Sequence, residues 1–234
     1  MTEYKLRRKL QLPCVELMLN TSKSLSLEHA FGLRGYVGRQ YPEDTLLHNH
    51  RDGSFVYSYP RVQYKIINNC GYIIGLAEGA EAVKKIRPFN SVMLGDEVIE
   101  LLEYKLTERK ATFGITDDQN TYSFFSPWLA LNEQNYQKYK QLRTRNNKRK
   151  LLEKILVGNI IAMSKGLDYT VPEPIIANFK VFEEISTALK ATTMLGFLGT
   201  FSVNFEIPDY WGIGKSVSRG FGTVKAVLDD SCRC

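Results

Sequence analysis

The sequence predicts an α+β fold of tandem ferredoxin-like (RRM-like) domains, each an antiparallel sheet with helices on one face. Three observations lead to this. The first half of the 234-residue chain alternates strand-like and helix-like runs in the order strand, helix, strands, helix, strand. The second half contains a long amphipathic run followed by further strand-like runs. The composition, 44% hydrophobic and 24% charged, is that of an ordinary globular protein.

The elements of the first half follow from period and turn signals. Residues 4–19 alternate loosely and predict one or two strands, broken near Pro13. Ser26 is placed to cap a helix whose apolar positions recur at helical spacing and which ends before Pro42. Strand signals follow at residues 55–59, 61–67 and 72–76, with Asn68-Asn69 as a turn. A short helix over residues 78–86 and a strand pair over residues 97–106 and 111–115 complete this half.

The second half predicts a similar set of elements. A helix is expected near Asn132, and a longer one over residues 148–165 carries apolar residues at i, i+3 and i+4 spacing. Strands are expected at residues 122–128, 175–182, 189–195, 200–207 and 221–228. We therefore divide the chain into an N-terminal domain over residues 1–110 and a C-terminal domain over residues 111–234.

Composition excludes several classes of protein. No apolar run approaches the ~20 residues that cross a bilayer, and the N-terminus lacks the pattern of a secretory signal. The four cysteines and three histidines do not have the spacing of a zinc site. We expect a cytoplasmic protein without membrane contact, metal or cofactor.

Positive charge is concentrated in residues 138–154. Eight basic residues stand there against the single acid Glu153, a local charge of +7 within a chain of net +6. Such a stripe attracts polyanions, although a solvated helix face explains it equally well. Arg145, Lys148 and Arg149 are the RNA-contacting candidates within it.

The segment from residue 212 to residue 222 combines glycines, basic residues and hydroxyls. Glycine lets the backbone approach a ligand and expose N–H groups to an anion, while Trp211 and Phe221 could stack on bases. We predict that this segment binds RNA phosphates, against the simpler interpretation of a glycine-rich hairpin. The predicted contacts are Gly212, Gly214, Lys215, Ser216, Ser218, Arg219, Gly220, Phe221 and Gly222.

Two nucleotide-binding motifs do not fit this segment. A P-loop ending at Gly214-Lys215-Ser216 needs glycine at position 209, where the chain has aspartate. A dinucleotide fingerprint starting at Gly212 needs glycine at position 217, where the chain has valine. The segment is therefore predicted to contact an RNA backbone.

Two histidines, in the run His48-Asn49-His50, have the spacing for paired acid–base chemistry. Residues i and i+2 of an extended chain point to the same face. Asp52-Gly53 is a strong hairpin signal, pairing Arg51 with Ser54, His50 with Phe55, and His48 with Tyr57. RNA cleavage without a metal needs a base for the 2′-hydroxyl and an acid for the 5′ oxygen, which two imidazoles can divide. Arg51 is placed to contact phosphate. The alternative is a polar loop, with Tyr57 packed in the sheet.

The chain resembles the CRISPR-associated endoribonucleases that cut repeat RNA, a family of the repeat-associated RNA-binding superfamily. The resemblance is carried by Gly196-Phe-Leu-Gly199, Ile207-Pro-Asp209, Gly212-Ile-Gly-Lys215 and Ser218-Arg-Gly-Phe-Gly222 in one half, and by Leu33-Arg-Gly35, Leu46-Leu-His-Asn-His50 and Tyr59-Pro-Arg-Val-Gln-Tyr-Lys65 in the other. It implies tandem ferredoxin-like domains and metal-independent cleavage of CRISPR repeat RNA in precursor transcripts, giving mature guide RNAs.

The resemblance also implies site residues. One subgroup has paired histidines and a downstream tyrosine, which His48, His50 and Tyr57 match. The cation of the more common tyrosine–histidine–lysine site has no clear counterpart, and Arg51, Lys65 or Lys215 could supply it. A non-cleaving RNA-binding subunit of an interference complex is the alternative function. Homodimerisation and the complex served stay open.

Overall fold

The computed structural model describes residues 8–48, 50–51, 54–55, 59–189 and 192–227, with only the backbone for residues 50–51, 54–55 and 189. The chain divides into two units. The N-terminal unit contains residues 11–111 and 216–220, and the C-terminal unit contains residues 8–10, 112–215 and 221–227. Within the described part of the chain, no helix is long and apolar enough to cross a bilayer.

The N-terminal unit has the strand order of a ferredoxin-like fold. Its elements are β1 (Lys9–Thr21), α1 (His29–Gln40), α2 (Thr45–His48), β2 (His50–Arg51), β3 (Ser54–Phe55), β4 (Val62–Ile67), β5 (Cys70–Leu76), α3 (Glu78–Lys84), β6 (Ser91–Leu94) and the first part of β7 (Glu97–Phe124). The sheet runs in the order β4-β5-β1-β7. The β4–β5 and β5–β1 pairs are antiparallel.

Local sequence explains the β4–β5 hairpin and the packing of the helices. The predicted turn is confirmed, with Asn68 and Asn69 both at positive φ, which a two-residue hairpin turn requires. Helix α1 buries Leu33 and Val37, and α3 buries Val83, in the same apolar core as the sheet. The predicted Ser26 cap is wrong, because α1 begins at His29 and the Ser26 hydroxyl lies 2.9 Å from His29 Nδ1.

The C-terminal unit repeats this strand order but, in its described residues, lacks a second helix between its last two strands. Its elements are the second part of β7, α4 (Glu133–Gln141), α5 (Arg145–Gly166), β8 (Ala177–Leu189), β9 (Thr192–Glu206) and β10 (Val224–Ala226). A 3₁₀ turn (Val217–Arg219) lies between β9 and β10 in sequence and belongs to the N-terminal unit. Strand β7 pairs with β9 and β10, and β9 pairs with β8. Where a ferredoxin-like fold has its second helix, between β9 and β10, this chain has the glycine-rich segment.

Helix caps and aromatic packing fix the C-terminal unit. Asn132 and Thr144 accept hydrogen bonds from the third residue after them and so cap α4 and α5. The predicted apolar stripe of α5 is largely buried, with Leu152, Leu156 and Ile160 inaccessible to solvent. The strand pair predicted at residues 97–106 and 111–115 is wrong, because both runs belong to the single 28-residue strand β7.

Candidate functional site

The hairpin predicted around Asp52-Gly53 forms with the expected register. Strands β2 and β3 pair His50 with Phe55 and Arg51 with Ser54. Two residues separate the paired strands, which is the number that an Asp-Gly hairpin favours. Asn49, Tyr57 and the rest of the predicted pairing lie outside the described residues, so the contact of Tyr57 with His48 stays a prediction.

His48 differs from its predicted conformation. It is the last residue of α2, so His48 and His50 do not share one face of a continuous strand. The cause is local: the Asp44 carboxylate accepts a hydrogen bond from the Leu46 amide at 3.1 Å, an Asx turn that starts the short helix. Helix formation in residues 45–48 was not expected from the sequence.

Helix α1 and the chain before α2 hold His48 at three points. Its ring Nε2 lies 2.8 Å from the Pro42 carbonyl oxygen, and its own carbonyl oxygen accepts a hydrogen bond from the Arg34 guanidinium. Gly38 faces it, since a Cβ at that position would lie 3.0 Å from the His48 Cβ. A carbonyl only accepts, so Nε2 carries the proton and the acceptor lone pair of a neutral ring lies on Nδ1.

The glycine-rich segment uses its backbone amides internally. The amides of Ile213, Lys215, Arg219, Gly220 and Gly222 all donate to backbone carbonyls of the chain. The prediction that backbone N–H groups of this segment are free to bind an anion is therefore wrong at these positions. Gly222 shows what its missing side chain permits, because a Cβ there would lie 2.0 Å from the Ile213 carbonyl oxygen, and its φ is +63°.

The predicted stacking of aromatic rings on bases is wrong. Trp211 is 0% exposed and Phe221 is 4% exposed. The Trp211 ring packs against Phe113 with centroids 5.9 Å apart, in the core of the C-terminal unit. An aromatic beside glycine therefore has a core role here, as most aromatics do. Lys215, Ser216 and Arg219 remain accessible and keep the predicted RNA contact as a proposal.

Two of the cations proposed for the phosphate have protein partners. Lys215 Nζ donates to the Leu131 carbonyl oxygen at 2.8 Å within the C-terminal unit. Lys65 on β4 is fully buried in the N-terminal unit, and its Nζ donates to the Val217 carbonyl oxygen at 3.2 Å. Lys65 therefore anchors the 3₁₀ turn to β4 and does not face a ligand. The side chain of Arg51 lies outside the described atoms.

Burial of Lys65 predicts a pH-dependent stability. Burial lowers the pKa of Lys65 to about 7 from its ordinary value of 10.5. Between about pH 7 and 10 the unfolded chain binds more protons than the folded chain, so the contribution of this group to the free energy of unfolding rises with pH. Below about pH 7 the folded protein carries a buried ammonium, and the contribution of Lys65 to the free energy of unfolding falls no further.

Urea unfolding across this pH range checks the prediction. The free energy of unfolding of the wild type, relative to Lys65→Met, should increase steadily from pH 7 to pH 10. Lys105→Met, at an exposed position of the same unit, is the matched control and should give a constant difference. A constant difference for Lys65→Met as well would contradict the assignment.

The basic stretch is divided between two roles. Arg145 donates to the Phe182 carbonyl oxygen at 2.6 Å, and Lys148 pairs with Glu184 at 2.9 Å. Both contacts attach α5 to β8 and reduce the freedom of these side chains to reach RNA. Lys138, Lys150 and Lys154 line a cleft between α4 and α5. None of these three lysines forms an ion pair with an acid in the described residues.

Sequence reasoning missed Arg34. This arginine is only 8% exposed and lies on the buried side of α1, beside Leu33 and Val37. The available signal was a charged residue within an apolar helical stripe, four residues after Ala30. Such a residue is rarely buried without a partner that needs it.

Models of known protein families match both halves of the chain. The family described as Cas6b N-terminal domain matches residues 10–112, and the family described as Cas6b C-terminal domain matches residues 114–227. A crystal structure of Cas6b is 35% identical, with a TM-score of 0.86 over 93% of this chain and 100% of that chain. A crystal structure of a CRISPR RNA processing endoribonuclease, also Cas6b, is 32% identical, with a TM-score of 0.75 over the same shares of the two chains. An uncharacterised protein of Methanocaldococcus jannaschii is 45% identical over 144 residues, which cover 62% of this chain and 95% of that protein.

Proposed function

This chain belongs to the Cas6b family of CRISPR RNA processing endoribonucleases, and from that membership we propose that it cuts CRISPR repeat RNA in precursor transcripts without a metal ion. The observation that carries the proposal is the paired-histidine segment. His48 is held by helix α1, and His50 begins the adjoining hairpin. An imidazole side chain can act as either acid or base, as acid–base catalysis requires.

The proposed reaction is an internal transfer of the phosphate. The 2′-oxygen attacks the adjacent phosphorus while a base takes its proton. The bond from phosphorus to the 5′ oxygen then breaks as an acid protonates that oxygen. The products are a 2′,3′-cyclic phosphate and a 5′-hydroxyl, so that no water is consumed.

The tautomer of His48 supports a division of roles. With the proton on Nε2 directed at the Pro42 carbonyl, Nδ1 is the basic nitrogen of the neutral ring. We therefore assign the base to His48 and the acid to His50, with Tyr57 assisting. Each role contributes typically 10²–10⁴-fold to the rate.

Incubation of the purified protein with end-labelled repeat RNA in excess EDTA tests the proposal. We expect a discrete cut whose 5′ fragment ends in a 2′,3′-cyclic phosphate, recognised by a mobility change after mild acid and phosphatase treatment. A shifted band with intact RNA would favour the alternative function, a non-cleaving RNA-binding subunit. Cleavage that EDTA abolishes and Mg²⁺ restores would contradict the metal-free reaction.

We propose that the lysine cleft between α4 and α5 carries part of the electrostatic RNA contact. The slope of log K against log salt should fall by about 0.7–0.9 for each phosphate that a variant no longer neutralises. Replacing Lys138, Lys150 and Lys154 with glutamine should therefore flatten the salt dependence of repeat binding. Lys165→Gln, near the end of the same helix, is the control. A slope that the triple variant leaves unchanged would make the cleft an ordinary solvated surface.

One finer proposal concerns the fate of the cut RNA, and one measurement concerns the oligomeric state of the protein. We propose that the protein keeps the processed repeat and passes it to an interference complex, so labelled product should stay bound after cleavage. Release of the product on cutting would contradict this. Light scattering with and without uncleavable repeat RNA decides whether the bound form is a monomer or a homodimer.

A further inference from the structure

Helix α1 of the N-terminal unit carries one arginine and is contacted by a second. Arg34 is on α1, and Arg219 is the last residue of the 3₁₀ turn. The Arg219 guanidinium lies over the ring of Phe31, with its Cζ 5.6 Å from the ring centroid. Phe31 lies one helical turn before Arg34 on α1, so the Arg219 guanidinium lies near the turn of the helix that carries Arg34. Far apart in sequence, the two arginines are brought together by the fold.

The Arg34 side chain is buried, and the Arg219 side chain is partly buried. Arg34 is 8% exposed and donates one hydrogen bond, to the carbonyl oxygen of His48. Arg219 Nε is buried and has no hydrogen-bond partner in the described part of the unit. A buried donor of a charged group without an acceptor costs free energy, and native proteins rarely leave one in that state.

Neither arginine has a compensating carboxylate among the described residues. Within the described ranges, neither Arg34 nor Arg219 forms an ion pair, and Asp44 pairs with Lys85. Burial lowers the pKa of Arg34, and the positive charge of Arg219 lowers it further. The ring of Phe31 stabilises one guanidinium through its face, but a ring face leaves the Nε donor unpaired.

The structure points to an anion site at Arg34 and Arg219, which we propose holds the scissile phosphodiester of RNA. This inference rests on the function proposed above. It supplies the phosphate-binding cation that the sequence left open between Arg51, Lys65 and Lys215. Guanidinium groups suit the task because their N–H donors form paired hydrogen bonds to phosphate oxygens.

The hydrogen bond from Arg34 to His48 gives the site a second consequence. A phosphate held by Arg34 is connected through one side chain to the backbone of the residue assigned as base. Binding of the phosphate therefore fixes the position of His48 relative to the phosphorus. Positioning of this kind contributes to the rate because the reacting atoms are held near attack distance.

Thermal unfolding without RNA tests the anion site directly. Sodium phosphate is compared with sodium chloride at the same ionic strength. At a phosphate concentration of roughly ten times its Kd, the Tm of the wild type should rise by about 3 °C. Arg219→Gln and Arg34→Gln should abolish this difference. Arg87→Gln, an exposed arginine of the same unit, should keep it. If Arg34→Gln does not fold, Arg219→Gln alone decides.

RNA supplies the second arm, since inorganic phosphate and a phosphodiester share the recognised group. Arg219→Gln should slow cleavage of repeat RNA at least tenfold at saturating enzyme, and Arg219→Lys should recover part of the rate. Equal Tm values in phosphate and chloride, or disappearance of the difference in Arg87→Gln as well, would overturn the site. Phosphate stabilisation without any RNA cleavage would leave the site standing and refute the proposed function instead.

Discussion

A repeat RNA with a single 2′-deoxy nucleotide on the 5′ side of the scissile bond is expected to bind normally and remain uncut. The substitution removes the nucleophile and leaves the phosphate and the bases unchanged. A well-placed internal nucleophile corresponds to an effective concentration of about 10⁵–10⁸ M, so the rate should fall by about 10⁵-fold or more. Single-turnover cleavage and a gel-shift titration on the same RNA measure the two quantities.

The control is the same deoxy substitution one nucleotide further along the strand, which should be cut at the rate of the all-RNA substrate. This pair separates removal of the nucleophile from a general effect of deoxyribose on strand shape. Cutting of the first RNA at an undiminished rate would mean that an external water attacks the phosphate. In that case both histidine roles assigned above would fail.

Alanine at His48 or His50 is expected to slow cleavage by about 10²–10⁴-fold while the affinity for repeat RNA changes by less than about threefold. The reason is that proton transfer contributes to the transition state and very little to binding. His29→Ala is the matched control, because the third histidine is near the start of α1 and contacts Ser26. Wild-type activity in a variant with alanine at both His48 and His50 would contradict the assigned roles.

A sulfur leaving group distinguishes the base from the acid. A thiolate departs without being protonated, so RNA with sulfur in place of the scissile 5′ oxygen does not need the acid. This substrate should restore most of the rate to His50→Ala and none of it to His48→Ala. The reverse pattern would exchange the two roles but keep the reaction.

Gly38 and Gly35 offer a milder probe of the same histidine. Alanine at Gly38 places its Cβ 3.0 Å from the His48 Cβ, whereas at Gly35 the nearest neighbour is the flexible end of Arg39 at 3.7 Å. Both changes favour the helix by up to about 1 kcal/mol. We expect cleavage to fall about tenfold for Gly38→Ala and to be unchanged for Gly35→Ala.

Local signals predicted much of the fold. The Asn68-Asn69 turn, the apolar stripe of α5 and the pairing of His50 with Phe55 each depend on neighbours in sequence, and each is present. The continuity of β7 was missed because its polar middle resembles a turn until it is paired with other strands.

The site was predicted less completely, because its parts depend on contacts distant in sequence. An aromatic beside glycine has the same local pattern whether it stacks on a base or fills a core, and Trp211 fills a core. The short helix ending at His48 depends on the Asp44 side chain, a signal that was present but overlooked. The proximity of Arg219 to the helix that carries Arg34 could not be predicted, because no sequence periodicity connects α1 with the 3₁₀ turn.

The 3₁₀ turn has a consequence for dissecting this protein into parts. Residues 216–220 come late in the chain but belong to the unit that carries the histidines. A fragment ending at residue 112 would include His48 and His50 yet lack the carbonyl that receives the Lys65 ammonium, together with Arg219. The unit that carries the proposed catalytic histidines is thus not encoded as one contiguous piece. Grafting it onto another scaffold, or rejoining separately expressed halves, requires that the late segment be supplied with it.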